Sequence, residues 1–128
     1  MDWDFDDQRP IYAQLVEQVE RAVVSGIWPP GSRLPGVREL ASEAGVNPNT
    51  MQRALAALEQ GGLVYAQRTA GRFVTEDEAL IADKRRSLAG SLAADFVGNM
   101  RALGVNGDEL CRLVRAAAEA PKAAGAPP

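Results

Sequence analysis

The hydrophobic residues in the first half of the chain recur at helical spacing in three segments. In the first segment, residues 10–24, they lie four positions apart: Ile11, Leu15, Val19 and Val23. This spacing puts them on one stripe, so we expect an amphipathic helix with the stripe buried and with Gly26 ending it. A tight turn at "WPPG", residues 28–31, and a second helix from Gly36 to about Ala44 are predicted to follow.

The third helical segment begins within "GVNPNTMQRAL", residues 45–55. Proline is tolerated in the first turn of a helix, where its missing N–H would have had no partner. Pro48 therefore predicts a helix start, with Asn47 as the N-cap residue. On a helical wheel one side of this helix is apolar and carries Met51, Ala54, Leu55 and Leu58. Two short helices joined by a glycine turn predict a helix-turn-helix.

The outer face of the third helix is rich in side chains that form hydrogen bonds. Its first turns carry Asn49, Thr50, Gln52 and Arg53. Amide, hydroxyl and guanidinium groups can bind base edges in a DNA major groove, and a helix N-terminus favours phosphate. A solvated helix with a good cap would show the same pattern, so this helix alone leaves both interpretations open.

A β-hairpin is predicted directly after the third helix. The runs "LVYA" and "RFV", residues 63–66 and 72–74, are short and β-prone, and Gly61 is expected to supply the left-handed cap before them. A hairpin in this position is the wing of a winged helix. Arg68 and Arg72 near its tip can reach the DNA backbone or minor groove, although each arginine taken alone is more typical of a solvated surface.

Two further helices are predicted after the wing. Thr75 and Glu78 have the spacing of a capping box and predict a helix to about Leu103, and Asn106 with Glu109 predicts the start of a fifth helix. Their apolar positions include Leu88, Leu92, Phe96, Met100, Leu110, Leu113 and Val114. A compact winged helix cannot bury both stripes, so we expect them to form a symmetric dimer interface. A monomeric helical subdomain is the alternative.

The predicted fold class is therefore mainly α, an α+β winged helix. We expect an N-terminal winged helix-turn-helix domain with a two-stranded wing over residues 1–75. After this domain we expect a short two-helix dimerisation segment over residues 76–119. The chain then ends in an Ala/Pro/Gly tail over residues 120–128, which is expected to be disordered. Residues 1–8 alternate apolar and acidic side chains and predict an extended arm whose aromatic residues dock on the domain.

The charge distribution along the chain favours selective binding to DNA over indiscriminate binding. The net charge is −3, but between Gln8 and Val74 seven arginines face five acids, and no lysine is present there. Arginine suits bidentate contacts to guanine or phosphate, although a genome of high GC content would favour the same residue.

Composition argues against an enzyme. The chain has no histidine, so the usual general base and the commonest metal ligand are both missing, and it has no glycine-rich phosphate loop. We therefore expect no cofactor and no metal. The single cysteine, Cys111, is expected to be a buried or partly buried free thiol. With an acidic start and no long apolar run, the protein is expected to be cytoplasmic and without membrane association.

Residues 10–74 resemble the GntR family of winged-helix regulators, specifically its YtrA subfamily. The matching motifs are "PIYAQL", "GIWPPGSRLPGVRELA", "GVNPNT", "LEQGG" and "GRFV". The resemblance implies a homodimeric transcription regulator, usually a repressor, on a palindromic operator in double-stranded DNA, and suggests control of a neighbouring transporter operon. No effector is specified by the sequence.

The resemblance also implies site residues. These are Arg38 and, by its position, Arg33; the helix residues Asn47, Asn49, Thr50, Gln52 and Arg53; and the wing residue Arg68, with Thr69 and Arg72 beside it. Two positions depart from the family pattern: Gly36 stands where serine is preferred, and Thr69 replaces the first glycine of the wing. A β-branched residue resists positive φ, so we expect a different wing turn or a more distant DNA contact. A winged helix that binds proteins and lacks specific DNA binding is the alternative function.

Overall fold

The computed structural model describes residues 1–121. In chain order its elements are α1 (Ile11–Val24), α2 (Val37–Ala44), α3 (Pro48–Gln60), β1 (Val64–Gln67), β2 (Gly71–Val74), α4 (Glu78–Ala102) and α5 (Gly107–Glu119). The strands β1 and β2 form an antiparallel pair. The predicted fold class, mainly α with a two-stranded wing and two C-terminal helices, is confirmed. Of the tail predicted to be disordered, residues 122–128 lie outside the described residues.

The chain forms two units, which divide after Ser87. This boundary lies later than the expected boundary at residue 75, because the first turns of α4 belong to the N-terminal unit. Ile81 of α4 is buried in that unit's hydrophobic core. The helices α1, α2 and α3 supply most of the core, and the wing closes one side of it with Val64 and Val74.

The apolar stripe of α3 lies fully inside this core, as predicted. The exposed fractions of Met51, Ala54, Leu55 and Leu58 are between 0% and 3%. The prediction for α1 is right for Leu15, Val19 and Val23 but wrong for Ile11, which is 38% exposed. A four-residue spacing drifts around a helix of 3.6 residues per turn, so the first member of the series leaves the core face.

A glutamine occupies the buried position near the start of α1. Gln14 is 1% exposed, and its side-chain amide is satisfied by the backbone of the N-terminal arm: it accepts from the Asp6 N–H at 2.9 Å and donates to the Asp6 and Arg9 carbonyls. Gln18 forms the same reciprocal pair with the backbone of Asp4. Trp3 and Phe5 stack on each other and pack against the core, as predicted for the arm.

Two predicted helix boundaries are wrong. Gly61 has φ −79°, and the left-handed conformation belongs to Gly62, with φ +85°. The helix α4 begins at Glu78, not at Thr75, because the Thr75 N–H donates to the Leu63 carbonyl and so extends the strand pairing. The carboxylate of Asp77 accepts from the Leu80 N–H and takes the capping role that the sequence suggested for Thr75.

The C-terminal unit buries little of its own apolar surface. Asn106 caps α5 as predicted, accepting from the Glu109 N–H at 2.9 Å. No residue of α5 is buried, and Leu92, Phe96, Leu113 and Val114 are between 40% and 55% exposed. The prediction that Cys111 is buried or partly buried is wrong for the single chain, where it is exposed because no element of the described chain covers its side of α5.

Candidate nucleic-acid interface

The turn between α2 and α3 fixes the direction in which α3 leaves the core. Gly45 adopts a left-handed φ of +71°, which lets the Val46 N–H reach the Ala41 carbonyl at 3.0 Å and close α2. Val46 then packs against the core. The side chain of Asn47 accepts from the Asn49 N–H at 2.7 Å, so the predicted N-cap is confirmed.

The polar face of α3 points away from the core. Asn49, Gln52 and Arg53 are exposed, and Thr50 is half-buried. Because the opposite stripe is fully buried, α3 cannot rotate about its axis without exposing large apolar side chains. The helix therefore presents these four side chains as one fixed surface, while the N–H groups of its first turn are bonded to Asn47.

Arg53 is held in place by an aromatic ring that sequence reasoning missed. Its guanidinium carbon lies 4.6 Å from the centre of the Tyr12 ring on α1, which is a cation–π contact. A guanidinium stacked by its face keeps the N–H donors at its edges free, and these are the groups that contact phosphate or guanine. Tyr12 lies in the "PIYAQL" motif, which is the only sequence signal for its role.

Arg33 and the wing are joined through the backbone. Residues 32–34 pair with β2: the Leu34 N–H donates to the Arg72 carbonyl and the Val74 N–H donates to the Ser32 carbonyl, both at 2.8 Å. The side chain of Arg33 passes beside Gly71, where an added Cβ would lie 3.0 Å from the Arg33 Nε. The exposed guanidinium of Arg33 thus lies at the turn of the wing. Arg38, on the first turn of α2, is also exposed.

The wing turn places its strained conformation on glycine. Arg68 and Thr69 are exposed in a turn closed by the Ala70 N–H and the Gln67 carbonyl at 3.0 Å. The positive φ, +103°, belongs to Gly71, and no other residue type within residues 1–121 has a positive φ. Thr69 therefore avoids the positive φ that a β-branched side chain resists.

Arg72 differs from the other candidate arginines. Its Nε donates to the carboxylate of Glu59 near the end of α3, and its side chain is only 18% exposed. Within the described part of the chain, Arg33, Arg38 and Arg68 form no ion pair. The structure thus gathers three free guanidinium groups and Arg53 on the N-terminal unit, with Arg72 bridging α3 and the wing.

Residues 11–74, the range from α1 to the end of β2, match the model for bacterial regulatory proteins of the gntR family. The chain belongs to the GntR family. A relative, the uncharacterized HTH-type transcriptional regulator YhcF of Bacillus subtilis, is 34% identical over 110 residues, covering 86% of this chain and 91% of YhcF. The HTH-type transcriptional repressor YtrA of Bacillus subtilis is 40% identical over 68 residues, covering 53% of this chain and 52% of YtrA.

Solved structures agree with this assignment. A GntR family transcriptional regulator from Listeria monocytogenes superposes with a TM-score of 0.81 at 38% identity, covering 87% of this chain and 97% of that chain. AraR(DBD), crystallised in complex with operator ORX1, superposes with a TM-score of 0.54 at 28% identity, covering 59% of this chain and 96% of AraR(DBD). This protein is therefore a transcriptional regulator with a DNA-binding domain, and not an enzyme.

None of the helices within residues 1–121 is long and apolar enough to cross a membrane.

Proposed function

We propose that this GntR-family protein is a cytoplasmic, homodimeric repressor that recognises a palindromic operator with α3. The observation that carries the proposal is the exposed polar face of α3, held outward by an apolar stripe with at most 3% exposure. A recognition helix in a major groove contacts base edges with the residues of its first turns. Asn49, Thr50, Gln52 and Arg53 occupy those turns, and Asn47 lies at the cap.

In this proposal the remaining basic side chains position the domain on the DNA backbone. Arg33, Arg38 and Arg68 are exposed and free of acidic partners in the described chain, so their charge is free to neutralise phosphates. Thr69 lies beside Arg68 at the wing tip. Arg72 contributes less to DNA affinity than the other arginines, because it must break its ion pair with Glu59 before it can contact DNA.

The proposed dimer uses the apolar faces of α4 and α5. Leu92, Phe96, Leu113 and Val114 are substantially exposed, and Leu88, Met100 and Leu110 are half-buried beside them. Apolar side chains repeated along two helices without a buried partner are typical of an interface. A two-fold dimer would present two α3 helices to half-sites about 34 Å apart, so the operator would be palindromic.

Repression is supported by the likeness to YtrA, which is named a transcriptional repressor. We further propose that the target is an operon beside the gene of this protein, one that encodes a transporter, as the subfamily resemblance implies. The test is binding of the full-length protein to the DNA upstream of the adjacent genes, with intergenic DNA from elsewhere in the genome as the control.

The base-reading proposal is tested by selection of bound sequences from a random DNA library, followed by affinity measurements. We expect a palindromic consensus. If about six phosphates are neutralised, log K should fall against log salt with a slope near −5. Gln52→Ala should cost roughly 1–3 kcal/mol and relax the preference at one position of each half-site. Gln60→Ala, an exposed glutamine at the other end of α3, is the matched control and should leave the consensus unchanged.

A protein-interaction module is the rival function. Such a module would bind operator and random DNA with the same weak affinity, and Gln52→Ala would behave like Gln60→Ala. Either result would contradict sequence reading by α3.

A further inference from the structure

A cleft in the N-terminal unit lies beside the C-terminal end of α3. It has a volume of about 260 Å³ and is bounded by α1, α3, Leu63 and the first turns of α4. Its walls are mainly apolar: Val16, Ala57, Leu58, Leu63 and Leu80. We call this space the α3–α4 cleft. Its volume is slightly below the range of about 300–1,000 Å³ typical of ligand pockets, which suits a small molecule and excludes a peptide helix.

The charged residues of the cleft come from α1 and α4. Glu20 of α1 lies deepest, with a side chain 13% exposed, and it pairs with the Lys84 Nζ at 2.9 Å. Asp83 also lines the cleft. The Asp83 carboxylate pairs with the Arg86 guanidinium, so both carboxylates of the cleft are already paired. Because Glu20 is less exposed than Lys84, a cationic group can replace Lys84 and keep Glu20 paired, whereas an anionic ligand would have to displace the more buried Glu20.

We propose that the α3–α4 cleft binds a small amphiphilic amine. The apolar body of the molecule lies against Val16, Leu58 and Leu80, and its ammonium group donates to the carboxylate of Glu20 in place of Lys84. The exchange is feasible because Lys84, 36% exposed at its side chain, can return to water while Glu20 stays paired.

A second contact keeps α4 attached during this exchange. The Arg85 guanidinium donates twice to the Val24 carbonyl at the end of α1, at 3.1 Å and 2.8 Å. This bond lies outside the lining of the cleft. Displacement of Lys84 therefore removes one of two polar links between α1 and α4 and leaves the other.

The cleft is connected to DNA recognition because α3 forms one of its walls. Ala57 and Leu58 line the cleft from the helix whose first turns are proposed to read bases, and Gly61 lines it directly after that helix ends. A molecule that wedges between the end of α3 and α4 shifts α3 against the core, and so changes operator affinity. This regulatory consequence rests on the proposed function, whereas binding of the amine does not.

Binding is tested on the full chain without DNA by titration monitored with methyl ¹H–¹³C NMR. The probes are 2-phenylethylamine, the neutral 2-phenylethanol and the anionic 3-phenylpropanoate. We expect the amine to shift the methyl signals of Val16, Leu58 and Leu80 saturably, the alcohol to bind more weakly, and the carboxylate to bind least. Equal affinity for the three probes, or shifts located elsewhere, would overturn the proposal.

Substitutions at the ion pair sharpen the test. Glu20→Gln should lower the affinity for the amine by about tenfold, which corresponds to the loss of one charge-assisted hydrogen bond. Glu17→Gln, which removes the same charge from the same helix but outside the cleft, should change nothing. Lys84→Gln should raise the affinity for the amine severalfold, because it removes the ammonium group that competes for Glu20. Such a gain cannot arise from damage to the fold, and its absence would contradict the assigned position of the ammonium group.

The regulatory arm compares operator affinity with and without saturating amine. We expect a change in the unaltered protein and none in Glu20→Gln at the same concentration. If the amine binds as described but operator affinity does not change, the regulatory part is wrong and the site stands. If the protein binds no operator either with or without amine, the proposed function itself has failed.

Discussion

Arg53 is expected to depend on Tyr12 for its position on the DNA-binding surface. Its guanidinium lies 4.6 Å from the ring centre of a half-buried tyrosine, within the range of about 6 Å in which cation–π attraction operates. At exposed sites this attraction is worth about 0.5–1 kcal/mol, which corresponds to roughly 2–5-fold in affinity. Tyr12→Leu keeps an apolar side chain against the core and removes the aromatic face.

The measurement is the affinity for the selected operator by fluorescence anisotropy at fixed salt. We expect Tyr12→Leu to weaken binding by roughly 2–5-fold and Tyr12→Phe, which keeps the ring, by less than about twofold. The same substitutions in an Arg53→Ala background should have no further effect, because the guanidinium that the ring holds is gone. Circular dichroism checks that each variant is folded.

The double-mutant comparison decides between positioning and general damage. An equal loss from Tyr12→Leu in both backgrounds would refute the coupling, since the ring would then act independently of Arg53. A loss in Tyr12→Phe as large as in Tyr12→Leu would assign the effect to the hydroxyl group instead.

Four further substitutions test the fold and the dimer. Gly71→Ala should destabilise the protein by about 1–2 kcal/mol in urea denaturation, because its φ is +103° and the new Cβ meets a guanidinium. Gly36→Ser should stabilise it by a few tenths of a kcal/mol, since its extended backbone suits an N-cap and a Cβ there meets nothing within 4 Å; a loss of stability would contradict that role. Asn47→Ala should cost about 1 kcal/mol through the lost cap of α3, and an unchanged urea midpoint would show that the cap contributes nothing. Phe96→Glu should convert the proposed dimer to monomer in sedimentation velocity, whereas Ser91→Glu, equally charged and exposed on the same helix, should not; a dimer that persists in Phe96→Glu would remove that face from the interface.

The local structure of α3 was predictable because short-range rules determine it. Pro48 fixes the first turn, Asn47 supplies the capping oxygen, and the apolar spacing selects the buried side. Each of these depends on residues within one or two helical turns, and the structure confirms all three. The winged-helix fold was also predictable, since a helix-turn-helix followed by a short hairpin has few alternatives.

The features that sequence reasoning missed depend on contacts between distant residues. The helix α4 does not begin at Thr75 because the Thr75 N–H bonds to Leu63 and continues the strand pairing, and Gln14 is buried because the backbone of the arm satisfies its amide. The contact of Arg53 with Tyr12 and the ion pair of Arg72 with Glu59 arise from the crossing of separate elements. Residue type and local spacing carry no signal for such pairs.

The central claim, that the exposed face of α3 reads sequence, is tested most directly by one ratio: the affinity for the selected operator divided by the affinity for a scrambled duplex of the same length and composition. The measurement uses full-length protein at near-physiological salt. The account predicts a ratio of about 10³ or more. A ratio near one would contradict it, because the protein would then bind DNA through its phosphates alone.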